Sequence, residues 1–163
     1  MHIENCLIYG FTLNGIQADQ PTANSRVFVS NTYVHNVNSG LVVGLTVKAI
    51  VDKFRSEHNR YGIQGYADAK IHVRNSVLSA NVIGVLASGN AQATIRSTTI
   101  GYNTDTGVKV DGSGAIARLG DTTITGNTTG LRVLSGGQII SSGNNHVAGN
   151  GTNGAPTSTP GPM

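Results

Sequence analysis

The sequence predicts an all-β protein: a solenoid of about seven stacked parallel coils, roughly 22–23 residues each, with little or no helix. Three observations predict it. The composition is low in charge (12%) and aromatics (5%), lacks Trp and holds 22 Gly in 163 residues. Such a mixture, rich in Asn, Thr and Val as well, favours strands and tight turns. Three separate sets of residues keep one common period. Short runs alternate apolar and polar residues, and no segment keeps a helical 3.6-residue period over a helix's length.

The first set is the residue that ends each alternating run: Asn5, Asn31, Lys53, Asn75, Ser97, Asp121 and Asn144, spaced 26, 22, 22, 22, 24 and 23. Before it the alternate residues are apolar, as in Val27 and Val29, Ile71 and Val73, Ala117 and Leu119, so one strand face turns inward. Three residues beyond it stands another apolar position, filled by Ile8, Val34, Leu78, Ile100, Ile124 and Val147. The second set is Asn36, Asn59, Asn81, Asn103, Asn127 and Asn150, spaced 23, 22, 22, 24 and 23. The third is Gly15, Gly40, Gly62, Gly84, Gly107 and Gly130, each followed by an apolar residue from Ile16 to Leu131.

A unit this small cannot bury its apolar face alone, whereas stacking the units closes a continuous core. Each set then becomes a ladder with rungs about 4.8 Å apart. The Asn set is expected to point inward and satisfy buried turn groups with its amides. The glycines are expected where a turn needs positive φ or a close approach. Residues 1–154 form the expected solenoid and 155–163 a loose Gly/Pro/Thr tail. The chain opens inside a repeat at His2-Ile3-Glu4. Two readings stay open: a piece of a longer β-helix, or a homo-oligomer that buries the uncapped first coil.

Several classes are excluded at this level. A single Cys rules out a disulfide framework and a multi-cysteine metal site. No stretch approaches the roughly 20 apolar residues of a membrane-spanning helix. Net charge is +3 with cations scattered and no basic run, so nucleic acid is not an expected partner. No glycine-rich phosphate loop precedes a helix, and no cofactor is implied.

Segments such as Val73-Arg74-Asn75-Ser76-Val77-Leu78-Ser79-Ala80-Asn81 and Ile95-Arg96-Ser97-Thr98-Thr99-Ile100 resemble bacterial right-handed β-helix repeat proteins of the pectate-lyase-like superfamily. The resemblance covers about residues 2–154 and implies right-handedness and a secreted or cell-surface location. The superfamily holds polysaccharide lyases, hydrolases and epimerases alongside shafts without catalysis. A polysaccharide is the partner it implies.

The third coil breaks the pattern. Lys53 replaces the anchor Asn, Ser56 stands where other coils carry Ile, Leu or Val, and Asp52, Arg55, Glu57, His58, Arg60 and Tyr61 crowd around them. A break of this kind is where a site is sought. Asp52 and Glu57 are the candidate acid/base pair for glycan cleavage, with Arg55 or Arg74 as electrostatic partner. The plain alternative is solvated ion pairs, because Asp52 and Arg74 share one outward column. No column holds carboxylates on adjacent rungs as a Ca²⁺ cage would need. The superfamily's Gly-His-Gly and Tyr-Gly-Phe-Asp-Pro-His motifs are missing; Tyr61-Gly62-Ile63 lacks the acid and the His. His35 and His58, one coil apart beside Glu57, have the chemistry of a metal pair, but columns align polar residues without function and no metal is assigned. Cys6 occupies a position that is Thr32, Ser76, Thr98 or Thr122 elsewhere and reads as a small buried residue. Tyr9, Tyr33, His35, His58 and Tyr61 are the candidate sugar-binding residues, Tyr9, Tyr33, His35 and Arg55 by outward alternation on the first coils. The leading expectation is a non-catalytic structural or carbohydrate-interacting β-helix. The alternative is a polysaccharide-degrading enzyme working through the third coil.

Overall fold

A computed structural model describes residues 1–20 and 25–160. The chain winds through six turns and part of a seventh. The first carries β1 (His2–Glu4), β2 (Leu7–Tyr9) and β3 (Asn14–Ala18). The second carries β4 (Arg26–His35) and β5 (Ser39–Val43), and the third β6 (Lys48–Glu57) and β7 (Tyr61–Gly65). The next three each hold three strands: β8 (Lys70–Arg74), β9 (Val77–Ser79), β10 (Ile83–Ser88); β11 (Gln92–Arg96), β12 (Thr99–Gly101), β13 (Thr106–Asp111); β14 (Ile116–Gly120), β15 (Thr123–Thr125), β16 (Thr129–Leu134). The last adds β17 (Gln138–Ser141) and β18 (His146–Val147). No helix of the described residues is long and apolar enough to cross a membrane.

Equivalent strands of successive coils pair in parallel. One six-stranded sheet runs β16-β13-β10-β7-β5-β3. The other, of twelve strands, bends along the first residue set. There Asn5, Asn31, Lys53, Asn75, Ser97 and Asp121 all have φ between 43° and 55°. Asn and Asp tolerate this left-handed conformation, so they are the natural corner residues, and Lys53 carries the strain instead in the third coil. The bend divides the twelve-stranded sheet into two faces. A first face holds the strand halves ahead of the corner and a second face those behind it.

The apolar columns meet on the axis. Val51, Val73, Ile95 and Leu119 ahead of the corner, Val34, Leu78, Ile100 and Ile124 behind it, and Leu41, Ile63, Val85 and Val108 on the six-stranded sheet are all essentially fully buried. The column after the corner is hydroxylic for a reason. Thr32, Ser76, Thr98 and Thr122 each donate to the carbonyl two residues back, across the corner. Cys6 makes the same link to Glu4 with its Sγ at 3.2 Å.

The amide ladder runs from Asn59 through Asn81, Asn103 and Asn127 to Asn150. Each Oδ1 accepts the backbone N–H of the residue one coil earlier: Val37 to Asn59, Asn59 to Asn81, Asn81 to Asn103, Asn103 to Asn127, Asn127 to Asn150, at 2.9–3.0 Å. Each Nδ2 donates to an inward strand carbonyl of that earlier coil, from Val34 to Ile124. At the end Asn153 supplies the acceptor, taking both N–H and Nδ2 of Asn150. Asn36 does not belong to the ladder. It is exposed, has φ 55°, and lies one residue early, in a second left-handed column with His58, Ala80 and Tyr102; Val37 fills the ladder position.

The repeated glycines answer the close-approach half of the expectation. None of Gly40, Gly62, Gly84, Gly107 or Gly130 has positive φ. A Cβ on Gly84 would lie 2.6 Å from the Gly107 carbonyl oxygen, and one on Gly107 would lie 2.8 Å from that of Gly130. The stretch expected as a loose tail runs back over the last coil, where Thr157 N–H donates to the Ile139 carbonyl at 2.7 Å and Ser158 accepts from Ser141. Residues 161–163 lie outside the described ones.

Candidate functional site

The third coil's irregularity begins inside the core. Phe54 and Ser56 are the two inward residues behind its corner, both buried. In neighbouring coils the first is small and hydroxylic and the second is large: Thr32 and Val34 before, Ser76 and Leu78 after. Here the sizes are exchanged. Ser56 Oγ donates to the Gly62 carbonyl at 3.2 Å and accepts from Asn59 Nδ2 at 2.9 Å. Buried Phe54 supplies the bulk that Ser56 does not, in keeping with a close-packed interior. The departure from pattern at Ser56 is a packing exchange.

On the outside of the same strand, alternation brings most of the expected residues together. Tyr33 opposes Leu7 and Arg55 in one column, and His35 opposes Tyr9 and Glu57 in the next. Tyr9 and His35 stack at 5.1 Å with planes 3° apart, and Tyr33 leans on His35 at 4.7 Å. The Arg55 guanidinium lies 4.9 Å over the Tyr33 ring, a cation–π contact. Glu57 anchors this platform. Its Oε2 accepts from Arg55 at 2.9 Å and from the Tyr33 hydroxyl at 3.0 Å, and its Oε1 accepts from Ser79 at 2.7 Å. Its side chain is 11% exposed while that of Arg55 is 59% exposed, so a buried carboxylate is held by a surface cation.

The electrostatics follow. Burial pushes the Glu57 carboxyl up, but hydrogen bonds from Arg55, Ser79 and Tyr33 together with the Arg55 charge outweigh it and hold the group below its ordinary value. Burial and the Glu57 hydrogen bond raise Tyr33. Glu57 therefore stays ionised at neutral pH, with both oxygens engaged. It has the opposite tuning to a general acid, which needs a raised value.

The remaining candidates lie elsewhere. Asp52 is ahead of the corner at Lys53, on the first face. It pairs with Arg74 at 3.3 Å in the expected ladder and accepts from Asn75 Nδ2 at 2.9 Å. The Asn75 hydrogen bond and, after the opposing effect of burial, the Arg74 charge hold its carboxyl below the ordinary value. Asp52 and Glu57 thus serve separate networks on separate faces. His58 is offset by one residue from His35 in the stack. It sits in the second left-handed column, level with Asn36, while His35 is level with Glu57. Tyr61 also stands apart, under Arg60 at 5.3 Å. Among the described residues no group of three or more His, Cys, Asp or Glu is placed to hold a metal ion.

Sequence reasoning missed one set of residues. Arg26, Lys48 and Lys70 are spaced 22 and 22, and Arg74 and Arg96 are 22 apart. At this period, cations far apart in sequence stack on the first face. The spacing was visible; a search for contiguous basic runs does not register it.

The family model for the right handed beta helix region matches residues 1–152 of the chain. No curated protein and no solved structure matches it.

Proposed function

We propose, from the premise that the chain belongs to the right-handed β-helix family, that it is a non-catalytic rod that interacts with carbohydrate through the platform of its first three coils. The fold alone carries no activity, so the reading rests on the site. The observation that supports it is the state of Glu57. Its oxygens are spent on Arg55, Tyr33 and Ser79, which fixes the rings beside it and leaves no free acid there. What faces solvent is a set of flat surfaces: Tyr9, 57% exposed, the half-buried rings of Tyr33 and His35, and the Arg55 guanidinium. Such faces stack on the apolar sides of sugar rings, and Arg55 adds hydrogen-bond donors. The alternative, glycan cleavage through the third coil, gains no support from carboxylates that are engaged separately.

The test is a panel of neutral and acidic polysaccharides scored for both binding and new reducing ends. Binding without cleavage is expected, weakened roughly 5- to 10-fold by Tyr9→Ala or Tyr33→Ala, as the loss of one aromatic contact implies. Reducing ends that appear with the wild type and vanish with Glu57→Gln would overturn the reading.

A further inference from the structure

The last coil ends on a reactive bond. Where asparagine precedes glycine, the glycine nitrogen has no Cβ beside it and can approach the asparagine side-chain carbonyl. The sequence joins these residues at Asn14–Gly15, Asn150–Gly151 and Asn153–Gly154. Attack needs a free glycine N–H, donors on the carbonyl oxygen where charge develops, and an amide nitrogen free to leave. The fold meets these needs unequally.

Asn14 lacks the last two. Its Oδ1 is buried with no donor, and its Nδ2 is held by Gln17 Oε1 at 2.9 Å. It also lies inside β3, in register with Ser39. Asn150 has donors on Oδ1, the Asn127 N–H at 3.0 Å and Nδ2 at 2.8 Å. However, the Gly151 N–H is committed to the Asn127 carbonyl at 2.9 Å, and Asn150 Nδ2 to the Ile124 carbonyl at 3.0 Å. Asn153 meets every need. Its Oδ1 accepts from the Asn150 N–H at 3.2 Å and from Asn150 Nδ2 at 3.0 Å. Among the described residues, neither the Gly154 N–H nor Asn153 Nδ2 donates to any group. Both residues are exposed to water.

We propose that Asn153 is a self-modifying site, whose deamidation the last rung of the amide ladder promotes and whose isoaspartyl product unfastens the end of the rod. The Gly154 nitrogen gives its proton to solvent and bonds to Asn153 Cγ. Negative charge develops on Oδ1, where the Asn150 donors receive it as an oxyanion hole would. The Cγ–Nδ2 bond breaks, and ammonia leaves with a proton from water. Water then opens the cyclic imide. Attack at Cγ yields aspartate; attack at the α-carbonyl yields isoaspartate, with the chain running through Cγ and the α-carboxylate left pendant. Water is the one co-reactant, and nothing is oxidised or reduced.

The isoaspartyl link adds a backbone carbon just where the chain has no slack. The Asn153 main-chain carbonyl accepts the Leu131 N–H at 2.9 Å. Gly154 has φ 70° and is seated so closely that a Cβ there would lie 3.0 Å from the Leu131 carbonyl carbon. Beyond it the chain is fastened to β17. The Thr157 N–H donates to the Ile139 carbonyl at 2.7 Å, the Ser141 N–H donates to the Ser158 carbonyl at 3.0 Å, and Thr157 Oγ1 accepts the Ile139 N–H at 3.0 Å. A longer link throws this strap out of register and uncovers the edge of β17 beside buried Ile139. Aspartate keeps the original chain path and both acceptors, so it leaves the strap in place.

The test incubates the whole chain at mildly alkaline pH, folded and, separately, in guanidinium chloride. Peptide mapping by mass spectrometry follows amide-to-acid conversion at all three bonds, and labelling by an isoaspartate methyltransferase identifies the isoaspartyl product. In denaturant the three bonds should convert at similar rates. In the folded chain Asn153 should convert at least as fast as in denaturant, while Asn14 and Asn150 slow by about tenfold or more because each must first open locally. The site is overturned if folding slows Asn153 as much as Asn150, or if Asn14 or Asn150 converts first. Hydrogen exchange then reads the strap. The Ser141 and Thr157 amides should be protected in fresh protein and lose protection in the isoaspartyl fraction separated by charge. Asn153→Asp, which adds the charge without the extra carbon, should keep it, with circular dichroism confirming the fold. Equal loss in N153D, or a protected isoaspartyl fraction, overturns the unfastening.

Discussion

Asn81→Ala tests the amide ladder at the middle of the rod. The Asn81 side chain is 1% exposed, accepts the Asn59 N–H at 3.0 Å and donates to the Ser56 carbonyl at 2.9 Å. Truncation removes both partners at once and gives neither group a route to water. A buried polar group left unpaired costs about 1–3 kcal/mol, so the two together cost about 2–6 kcal/mol, a large part of a typical domain's 5–15 kcal/mol. At about 2–4 °C per kcal/mol for a chain of this size, the midpoint falls by roughly 4–24 °C. The assay is urea and thermal unfolding followed by circular dichroism, with Asn36→Gly as the companion variant. Asn36 is exposed and has φ 55°, where glycine is unstrained, so its replacement should stay within about 0.5 kcal/mol of wild type. A loss below about 1 kcal/mol for Asn81→Ala, or an equal loss for Asn36→Gly, would refute the reasoning. An unchanged urea slope confirms that the same cooperative unit is being measured.

Two further outcomes follow from the third coil. Phe54→Thr alone should cost about 2–4 kcal/mol through a cavity and Ser56→Leu alone about 1–3 kcal/mol through crowding. The double variant restores the neighbouring coils' order of sizes and should cost at least about 1 kcal/mol less than their sum; additivity in a double-mutant cycle of urea midpoints would sink the exchange argument. Glu57 and Asp52 both have folded values below their unfolded ones, so the unfolded chain takes up protons first on acidification. Their contribution is complete above the ordinary carboxylate range and is lost as pH falls through the folded values. Urea midpoints should therefore be flat from about pH 8 to 5 and decline below about pH 4.5, less steeply in Glu57→Gln; a midpoint that rises on acidification contradicts the assignment.

The core was legible because burial leaves a periodic mark. Val73, Ile95 and Leu119 repeat with the coil and alternate with polar residues, so period and face could both be read. Asn36 was misplaced because asparagine suits two adjacent positions for different reasons: the left-handed corner tolerates it, and the inward ladder needs its amide. Residue identity cannot separate these, whereas the strand register that aligns Val37 with Asn59 does. The exchange of Phe54 and Ser56 was hidden because each looks anomalous alone and only the pair conserves volume. The platform was legible as a set of outward positions, but its linkage through Glu57 depends on side-chain reach across three rungs. The stacked cations of the first face escaped because electrostatics along the chain and across a stack obey different distances: residues 22 apart are remote in one and adjacent in the other.

The ladder also has a direction in time. Each amide completes the turn of the coil before it, so the Val37 N–H waits for Asn59, and Asn59 in turn waits for Asn81. During synthesis from the N-terminus, the newest turn on the nascent chain always lacks its acceptor until the following coil arrives. The process would leave one turn open for good if it simply stopped. Asn153, three residues beyond Asn150, closes the last stitch from within the same coil.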